Sequence, residues 1–229
     1  ERLKKDIVQS LKLFFPKEEH ERVSKCIKTV KELFMSYVKN ADIFPEKNEL
    51  NRRRFRTLFD RNDVDLDLFW EEYRGVLRGY NLVGSDYIVT PTMYSEIGRR
   101  RGRIAKTQRD DFYKMATDAL ERNSGGSSLQ NTWDSLDLCR SIFTNIIEHE
   151  ELRTVQCLYI DEVQDLTRAE MEVLLTLLKP DGLRRFAVTG DLSQSIQPSS
   201  FTWQALSDLV YDVLNLRISK HETLVENFR

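Results

Sequence analysis

Two short apolar segments in the last third of the chain, each ending abruptly in polar side chains, constrain the fold more than any other feature. The first is Cys157–Ile160, which is followed directly by Asp161 and Glu162. The second spans residues 185–189 and leads into Gly-Asp-x-x-Gln, which ends at Gln194. Such short runs are typical of strands buried in a parallel sheet. The polar tips are therefore predicted at the carboxyl edge of a sheet, and the cysteine of the first run is predicted as a small core residue.

The segment between the two apolar runs predicts a capped helix. Thr167 and Glu170 have the spacing of a capping box. One apolar helical face follows, made of Met171, Leu174, Leu175 and Leu178. Residues 180–182, Pro-Asp-Gly, end the helix. Strand, helix and strand predict a right-handed βαβ crossover whose ligand lies at the carboxyl ends of the strands. Carboxylates and an amide at that edge suit a metal-bound phosphate and an attacking water, which is the chemistry of nucleotide hydrolysis.

An acidic Asp-Glu-x-x-Asp segment, here residues 161–165, also has a plainer interpretation. It can be the solvated first turn of a helix, where the helix dipole favours acidic side chains. Two further segments weigh against that interpretation. One is the Gly-Asp-x-x-Gln segment, and the other is residues 224–229, where an apolar pair leads into Asn-Phe-Arg and ends at Arg229.

These three segments, in this order, resemble motifs of the UvrD/Rep-like superfamily 1 helicases, in particular the divergent UvrD-like domains of large eukaryotic proteins. Residues 161–165 are similar to a Walker B motif, residues 190–196 to Gly-Asp-x-x-Gln-Ser-Ile, and residues 224–229 to Leu-x-x-Asn-Phe/Tyr-Arg. The resemblance implies an α/β fold, with a partial RecA-like (P-loop NTPase) parallel sheet and a mainly α-helical insertion subdomain. It assigns residues 1–150 to the insertion and residues 151–229 to the C-terminal half of the motor domain.

The same resemblance implies roles for individual side chains in an ATP-dependent helicase that uses ATP and Mg²⁺. Asp161 would hold Mg²⁺ through water, and Glu162 would orient and deprotonate the attacking water. Gln194 would contact the γ-phosphate, and Arg229 would stabilise the charge on it. These four residues form the predicted nucleotide-binding and catalytic set, whereas Asp191 is predicted to brace its own turn.

Two aromatic residues after the second polar segment are candidates for nucleic-acid binding. In the family that the chain resembles, Phe201 and Trp203 would stack on the bases of a single strand. The alternative is that Trp203 begins the core face of a helix that continues through Leu206, Leu209 and Val210. The sequence leaves both interpretations open.

One element of the family pattern is missing from this sequence. No Gly-x-x-x-x-Gly-Lys-Ser/Thr segment occurs, so the loop that would cradle the nucleotide phosphates is absent. The expectation is a piece of a larger helicase, with the phosphate loop and a second motor domain elsewhere in the parent chain and with the piece itself inactive. A natural pseudo-ATPase is the alternative, as is a nucleic-acid or protein-binding module on a degenerate, non-hydrolysing scaffold. A P-loop ATPase of another type fits less well, because such machines lack the Gly-Asp-x-x-Gln context.

The first 150 residues predict helices. Apolar residues recur at helical spacing over residues 20–39 and 65–80. Thr90-Pro91 has the pattern of an N-cap with proline at the first helical position. Further helices are predicted over residues 107–122 and from residue 134 onward.

Two basic clusters lie in this helical part. The first covers residues 52–56, and the second comprises Arg99, Arg100, Arg101 and Arg103, continued by Lys106 and Arg109. Several arginines on one surface favour contact with the phosphates of single-stranded nucleic acid. These arginines do not distinguish DNA from RNA; with the helicase resemblance, single-stranded DNA is the favoured partner. The alternative is a solvated helix face paired with nearby acids.

Composition adds two limits. The chain has 229 residues, a formal net charge of −2 and three cysteines. The cysteines lack metal-ligand spacing and predict reduced thiols in an intracellular protein of the nucleus or cytoplasm. The longest apolar runs are too short to span a bilayer, so a membrane partner is not expected.

Overall fold

The computed structural model describes residue 9 and residues 16–38, 41–59, 64–80, 82, 88–97, 104–121, 129, 132–179, 185–194 and 199–218. The chain divides into two compact units, Glu1–Pro45 and Glu46–Arg229. The candidate site lies in the second unit.

Over residues 16–38 the first unit contains two short α-helices. Helix α1 spans His20–Cys26 and helix α2 spans Val30–Met35. The helical spacing predicted over residues 20–39 is confirmed in both helices, but residues 27–29 are not helical and Thr29 starts a new helix. Its Oγ1 accepts a hydrogen bond from the Glu32 N–H at 3.1 Å, and its own N–H donates to Glu32 Oε2 at 2.7 Å. This capping box outweighs the continuous apolar periodicity.

The second unit is mostly helical. Its helices are α3 (Arg52–Leu58), α4 (Leu66–Glu72), α5 (Pro91–Glu96), α6 (Arg109–Glu121), α7 (Ser135–Glu148), α8 (Arg168–Thr176) and α9 (Trp203–Leu214). Helix α4 continues as a π-helix over Tyr73–Arg78. Side-chain caps start most of these helices, including the predicted caps Thr90 and Thr167. The helices expected in residues 65–148 are therefore confirmed within about two residues.

The first basic cluster belongs to the structural framework of this unit. Phe55, inside the cluster, is fully buried among the rings of Phe59 and Phe69. The guanidinium groups of Arg52 and Arg56 both donate to Asp67 Oδ1, at 2.8 and 2.9 Å. These hydrogen bonds lower the pKa of Asp67. For these two arginines the structure supports the paired helix face, not a free cationic surface.

Two parallel strands, β1 (Cys157–Ile160) and β2 (Arg185–Val188), are joined through α8. Leu158 and Ile160 are buried, whereas Cys157 is exposed and Tyr159 is 74% exposed. The predicted parallel pairing is confirmed. The prediction that the whole first strand is buried, with Cys157 in the core, was wrong. The reason is the period of two in a strand: within the described residues, only one face of β1 is covered.

The observed fold is a mixed α/β architecture, mostly helical with a small two-stranded parallel sheet among the described residues. Residues 46–229 form one compact unit, so the helices from α3 onward and both strands share it. A functional boundary near residue 150 stays a prediction. Across the described ranges, no helix combines the length and apolar character needed to cross a membrane.

Candidate functional site

The polar segments that follow the two strands are joined by backbone hydrogen bonds. The Thr189 N–H donates to the Ile160 carbonyl at 2.8 Å, and the Val163 N–H donates to the Thr189 carbonyl at 2.9 Å. The ladder between the strands is thereby extended past their carboxyl ends. Asp161 and Thr189 consequently lie next to each other at the edge of the sheet, as the crossover predicted.

Asp161 is exposed and oriented by its neighbours. Its Oδ1 accepts hydrogen bonds from the Thr189 hydroxyl and from the Glu162 N–H, the latter at 3.0 Å. Within the described part of the chain, no hydrogen bond reaches its Oδ2. Mg²⁺ in nucleotide sites binds one or two carboxylates together with water and phosphate oxygens. A single oriented carboxylate with one open oxygen fits that requirement.

Glu162 is held in an unusual backbone conformation. Its φ of 55° lies in the left-handed region, which is costly for a residue with a β-carbon. The side chain is exposed, and its Oε2 accepts a hydrogen bond from Gln164 Nε2 at 2.6 Å. The left-handed residue ends the strand and starts the short turn Val163–Asp165.

Gln164 connects the two loops, and the sequence analysis gave it no role. Its side chain is 1% exposed. While Nε2 donates to Glu162, Oε1 accepts from the Asp191 N–H at 3.0 Å. Its backbone carbonyl accepts from the Ser199 hydroxyl. The sequence did contain a signal for this role. Gln164 is the one amide in a motif whose other residues are acids and one valine.

Gly190 permits this close approach. A β-carbon at position 190 would lie 2.5 Å from Gln164 Oε1 and 2.9 Å from Val163 Cγ1. Both distances are shorter than van der Waals contact. The glycine of the Gly-Asp-x-x-Gln segment is therefore needed for packing against the first loop.

Asp191 and Gln194 form a compact turn after β2. Asp191 Oδ1 accepts from the Ser193 N–H at 2.9 Å, and Asp191 Oδ2 accepts from Gln194 Nε2 at 2.7 Å. Hydrogen bonds from Ser193 and Gln194 lower the pKa of the Asp191 carboxyl. The prediction that Asp191 braces its own turn is confirmed. The Gln194 side chain is exposed, and its hydrogen bond to Asp191 Oδ2 holds its amide against the Asp191 carboxylate.

The loop after β1 is also anchored to the helical part of the unit. Glu170 is 2% exposed and accepts hydrogen bonds from Arg74 Nη2, at 3.0 and 3.2 Å, and from the Thr167 N–H at 2.8 Å. The Ala169 N–H donates to the Gly79 carbonyl at 2.9 Å. The capping box was predicted from sequence, but the buried ion pair with Arg74 was not, because the two residues are far apart in the chain.

Phe201 and Trp203 lie beside the site at the start of α9. Their rings meet edge to face with centroids 5.3 Å apart, and both side chains are half-buried. The apolar face of α9 is buried, as the alternative interpretation of Trp203 expected; its members are Leu206, Leu209, Val210 and Leu214. Stacking on nucleic-acid bases stays a prediction.

Five of the predicted site residues lie in parts of the chain that the structure does not describe, and a further member of the second basic cluster is described. Arg99, Arg100, Arg101, Arg103 and Arg229 lie outside the described residues. Arg109, counted in the second basic cluster, is 2% exposed, and its Nη1 donates to the Tyr94 carbonyl at 2.8 Å and to the Ile97 carbonyl. Its inclusion in a phosphate-binding surface was wrong, because its guanidinium stabilises the end of α5.

Within the described ranges, no group of three or more His, Cys, Asp or Glu side chains is arranged to hold a metal ion. The candidate site is a pair of hydrogen-bonded loops at the ends of two parallel strands. Comparison of the chain with protein-family models, with curated proteins and with solved structures finds no match in any of the three.

Proposed function

We propose that this chain supplies the water-activating and nucleotide-sensing half of an ATP-hydrolysing motor of the superfamily 1 helicase type, acting on single-stranded nucleic acid. One observation carries the proposal: the loop with Asp161 and Glu162 and the turn with Asp191 and Gln194 meet at the carboxyl ends of two adjacent parallel strands. Ligands bind at this position in open α/β sheets. The motif resemblance supplies the reaction class.

The residues present divide the chemistry between them. Asp161 offers an exposed, oriented carboxylate for a hydrated Mg²⁺, which neutralises charge on the phosphates when bound. Glu162 holds an exposed carboxylate that can take a proton from water attacking the γ-phosphate. Gln194 presents an amide that can contact both phosphate and water. A phosphate-binding loop and a second motor domain would come from the parent chain.

The proposed contact with nucleic acid involves two aromatic side chains. Phe201 and Trp203 are half-buried aromatic rings, and the Phe201 N–H donates at 3.2 Å to Ser199 Oγ, whose hydroxyl donates to the Gln164 carbonyl. Base stacking on such rings contributes about 1–3 kcal/mol per base. This location would let Gln194 transmit the nucleotide state to a bound single strand, with DNA favoured over RNA.

The decisive experiment uses the full-length gene product that carries this chain. Glu162→Gln should lower the kcat of nucleic-acid-stimulated ATP hydrolysis by orders of magnitude and leave ATP binding largely intact, because the base is removed while the binding groups remain. Glu148→Gln, an exposed glutamate at the end of α7, is the matched control. Full ATPase activity in Glu162→Gln would refute the proposal. The 229-residue chain alone should show negligible turnover.

Two companion variants test the coupling to nucleic acid. Gln194→Ala should reduce nucleic-acid-stimulated ATPase activity more than basal activity, whereas equal losses would make Gln194 an ordinary catalytic residue.

Replacing Arg99, Arg100, Arg101 and Arg103 with Gln should flatten the salt dependence of single-strand binding, by roughly 0.7 log units per log unit of salt for each arginine–phosphate pair that the change removes. An unchanged slope would mean that these arginines do not contact phosphates and belong to a solvated surface.

A further inference from the structure

A continuous path of hydrogen bonds runs through the candidate site. It begins at Glu162 Oε2, which accepts from Gln164 Nε2 at 2.6 Å. Gln164 Oε1 accepts from the Asp191 N–H at 3.0 Å, and the Asp191 carboxylate accepts from Gln194 Nε2 at 2.7 Å. We propose that Gln164 is a positioning residue that couples the orientation of Glu162 to the turn that carries Gln194.

The chemistry of the path requires an amide at its centre. A glutamate carboxylate only accepts hydrogen bonds, and a backbone N–H only donates. Gln164 must therefore donate through one atom and accept through the other, which fixes the orientation of its side-chain amide. A carboxylate at position 164 lacks the donor, and an ammonium group lacks the acceptor.

Burial makes this bridge the dominant connection between Glu162 and the Gln194 turn. Gln164 is 1% exposed, so water does not compete for its amide, and an unmade hydrogen bond there would leave a buried polar group unsatisfied. Gly190 adds a steric requirement, because any β-carbon there would lie 2.5 Å from Gln164 Oε1. Among the described residues, the two loops are otherwise joined through Thr189, whose carbonyl accepts from the Val163 N–H and whose hydroxyl donates to Asp161.

This inference rests on the proposed function for the meaning of Glu162 and Gln194, but the coupling itself is measurable without nucleotide. The first experiment records NMR signals of the Asp191 backbone N–H and the Gln194 side-chain amide in the 229-residue chain. In the wild-type background, Glu162→Ala should move both signals, because hydrogen bonds in a chain polarise one another. In a Gln164→Met background, which keeps side-chain length without donor or acceptor, Glu162→Ala should leave both unmoved.

The control is Gln204→Met, which removes an exposed glutamine amide on α9 that donates to Asp208 at 2.7 Å. In that background Glu162→Ala should act as in the wild type. If Glu162→Ala moves the Asp191 and Gln194 signals equally with and without Gln164, the hydrogen bonds of Thr189 carry the effect and the proposal is overturned.

A second variant keeps the test decisive even if Gln164→Met unfolds. In Gln164→Glu, the ionised carboxylate cannot donate to Glu162, so the coupling should be lost at neutral pH. A protonated carboxyl group has one donor and one acceptor, as the amide has. Lowering the pH should therefore restore the coupling in Gln164→Glu, relative to wild type at the same pH. A merely space-filling role for Gln164 predicts no such rescue, and absence of the rescue would contradict the proposal.

The two proposals fail separately. If Gln164 couples the loops but Glu162→Gln leaves ATP turnover intact in the full-length protein, the bridge stands and the assignment of nucleotide hydrolysis falls. If turnover depends on Glu162 but the NMR coupling survives Gln164→Met, the hydrolase proposal stands and the positioning role falls.

Discussion

The helical part of the second unit and the strand ends use charged residues in opposite ways. In the helical part, Arg78 is 3% exposed and donates to Asp134 Oδ2 at 2.9 Å and to Asp137 Oδ1 at 2.7 Å. At the strand ends, Asp161 and Glu162 are exposed, and among the described residues neither carboxylate has an arginine or lysine partner. The same residue types therefore hold the fold together in one region and remain open to solvent in the other.

The difference separates charges whose placement depends on buried partners from charges that lie in contact with solvent. A buried charge is tolerated only when it is paired and hydrogen-bonded, so its placement is explained by the fold alone. The exposed carboxylates need no such pairing, and Glu162 is held with a φ of 55° at a cost in free energy. Among the described residues, no ion pair of Glu162 offsets that cost.

The largest effect that would test this comparison is the loss of Arg78. Arg78→Met should lower the free energy of unfolding by about 3–5 kcal/mol, because Asp134 and Asp137 lose their buried partner. Chemical denaturation measures the change. The control is Arg56→Met at an exposed pair, expected to cost less than about 1 kcal/mol. Similar costs for the two variants would remove the distinction between buried and exposed charges.

The next effect concerns the packing of the two loops. Gly190→Ala should lower the free energy of unfolding by about 1–3 kcal/mol, because the new methyl group overpacks against Gln164 and Val163. Combining it with Gln164→Ala makes room for the methyl group, so the double variant should be more stable than the sum of the single changes predicts. Strict additivity in denaturation experiments would show that the loops do not touch.

The carboxylates of the two regions should titrate on opposite sides of the ordinary Asp pKa of about 3.9. Burial, with the neighbouring Asp134, raises the pKa of Asp137, whereas hydrogen bonds from Ser193 and Gln194 lower the pKa of Asp191. Asp191 thus contributes stability that is present above its unfolded pKa and is lost as the pH falls through its folded value. Stability linked to Asp137 instead falls as the pH rises from its unfolded to its folded pKa.

Carboxyl-resolved NMR titration measures both groups directly. Ser193→Ala should move the pKa of Asp191 up towards the ordinary value and leave Asp137 unchanged. A pKa of Asp191 that is unaffected by Ser193→Ala would contradict the hydrogen-bonded turn.

The smallest effect is expected at the proposed catalytic residue itself. Glu162→Gln should change the free energy of unfolding by less than about 0.5 kcal/mol, because the side chain is exposed and the new amide oxygen still accepts from Gln164. Glu170→Gln is the contrasting variant, since it removes a buried negative charge that pairs with Arg74 and one of the two oxygens that accept from it, and it should cost more. A large loss of stability in Glu162→Gln, measured by denaturation, would make Glu162 a structural residue.

Much of the fold followed from local signals. Thr90, Asp134 and Thr167 each cap a helix through a side-chain oxygen, and such caps act over three residues. The parallel pairing of the strands followed from two apolar runs separated by one helix. The helical spacing over residues 20–39 did not indicate the break before Val30, because the apolar periodicity hid the competing cap at Thr29.

The candidate site was predictable only in part. Asp161, Glu162 and Gln194 were placed at strand ends by the βαβ pattern, and Asp191 was expected to brace its turn. Gln164 was missed because its role depends on an N–H that lies 27 residues away in the chain. The exposure of Tyr159 was missed because the apolar character of a strand does not specify which of its faces is covered.

The sequence by itself determined most of the helix caps, the two strands and the residues that end the strands, and therefore which side chains can meet at the sheet edge. These properties depend on caps, turns and periodicity, which act over a few neighbouring residues. Only the tertiary structure decided which charges are buried and which carboxylates stay open. It also decided that Arg74 pairs with Glu170 and that one glutamine amide joins two loops. Those outcomes depend on atoms brought together from distant parts of the chain, where desolvation makes each hydrogen bond between them necessary.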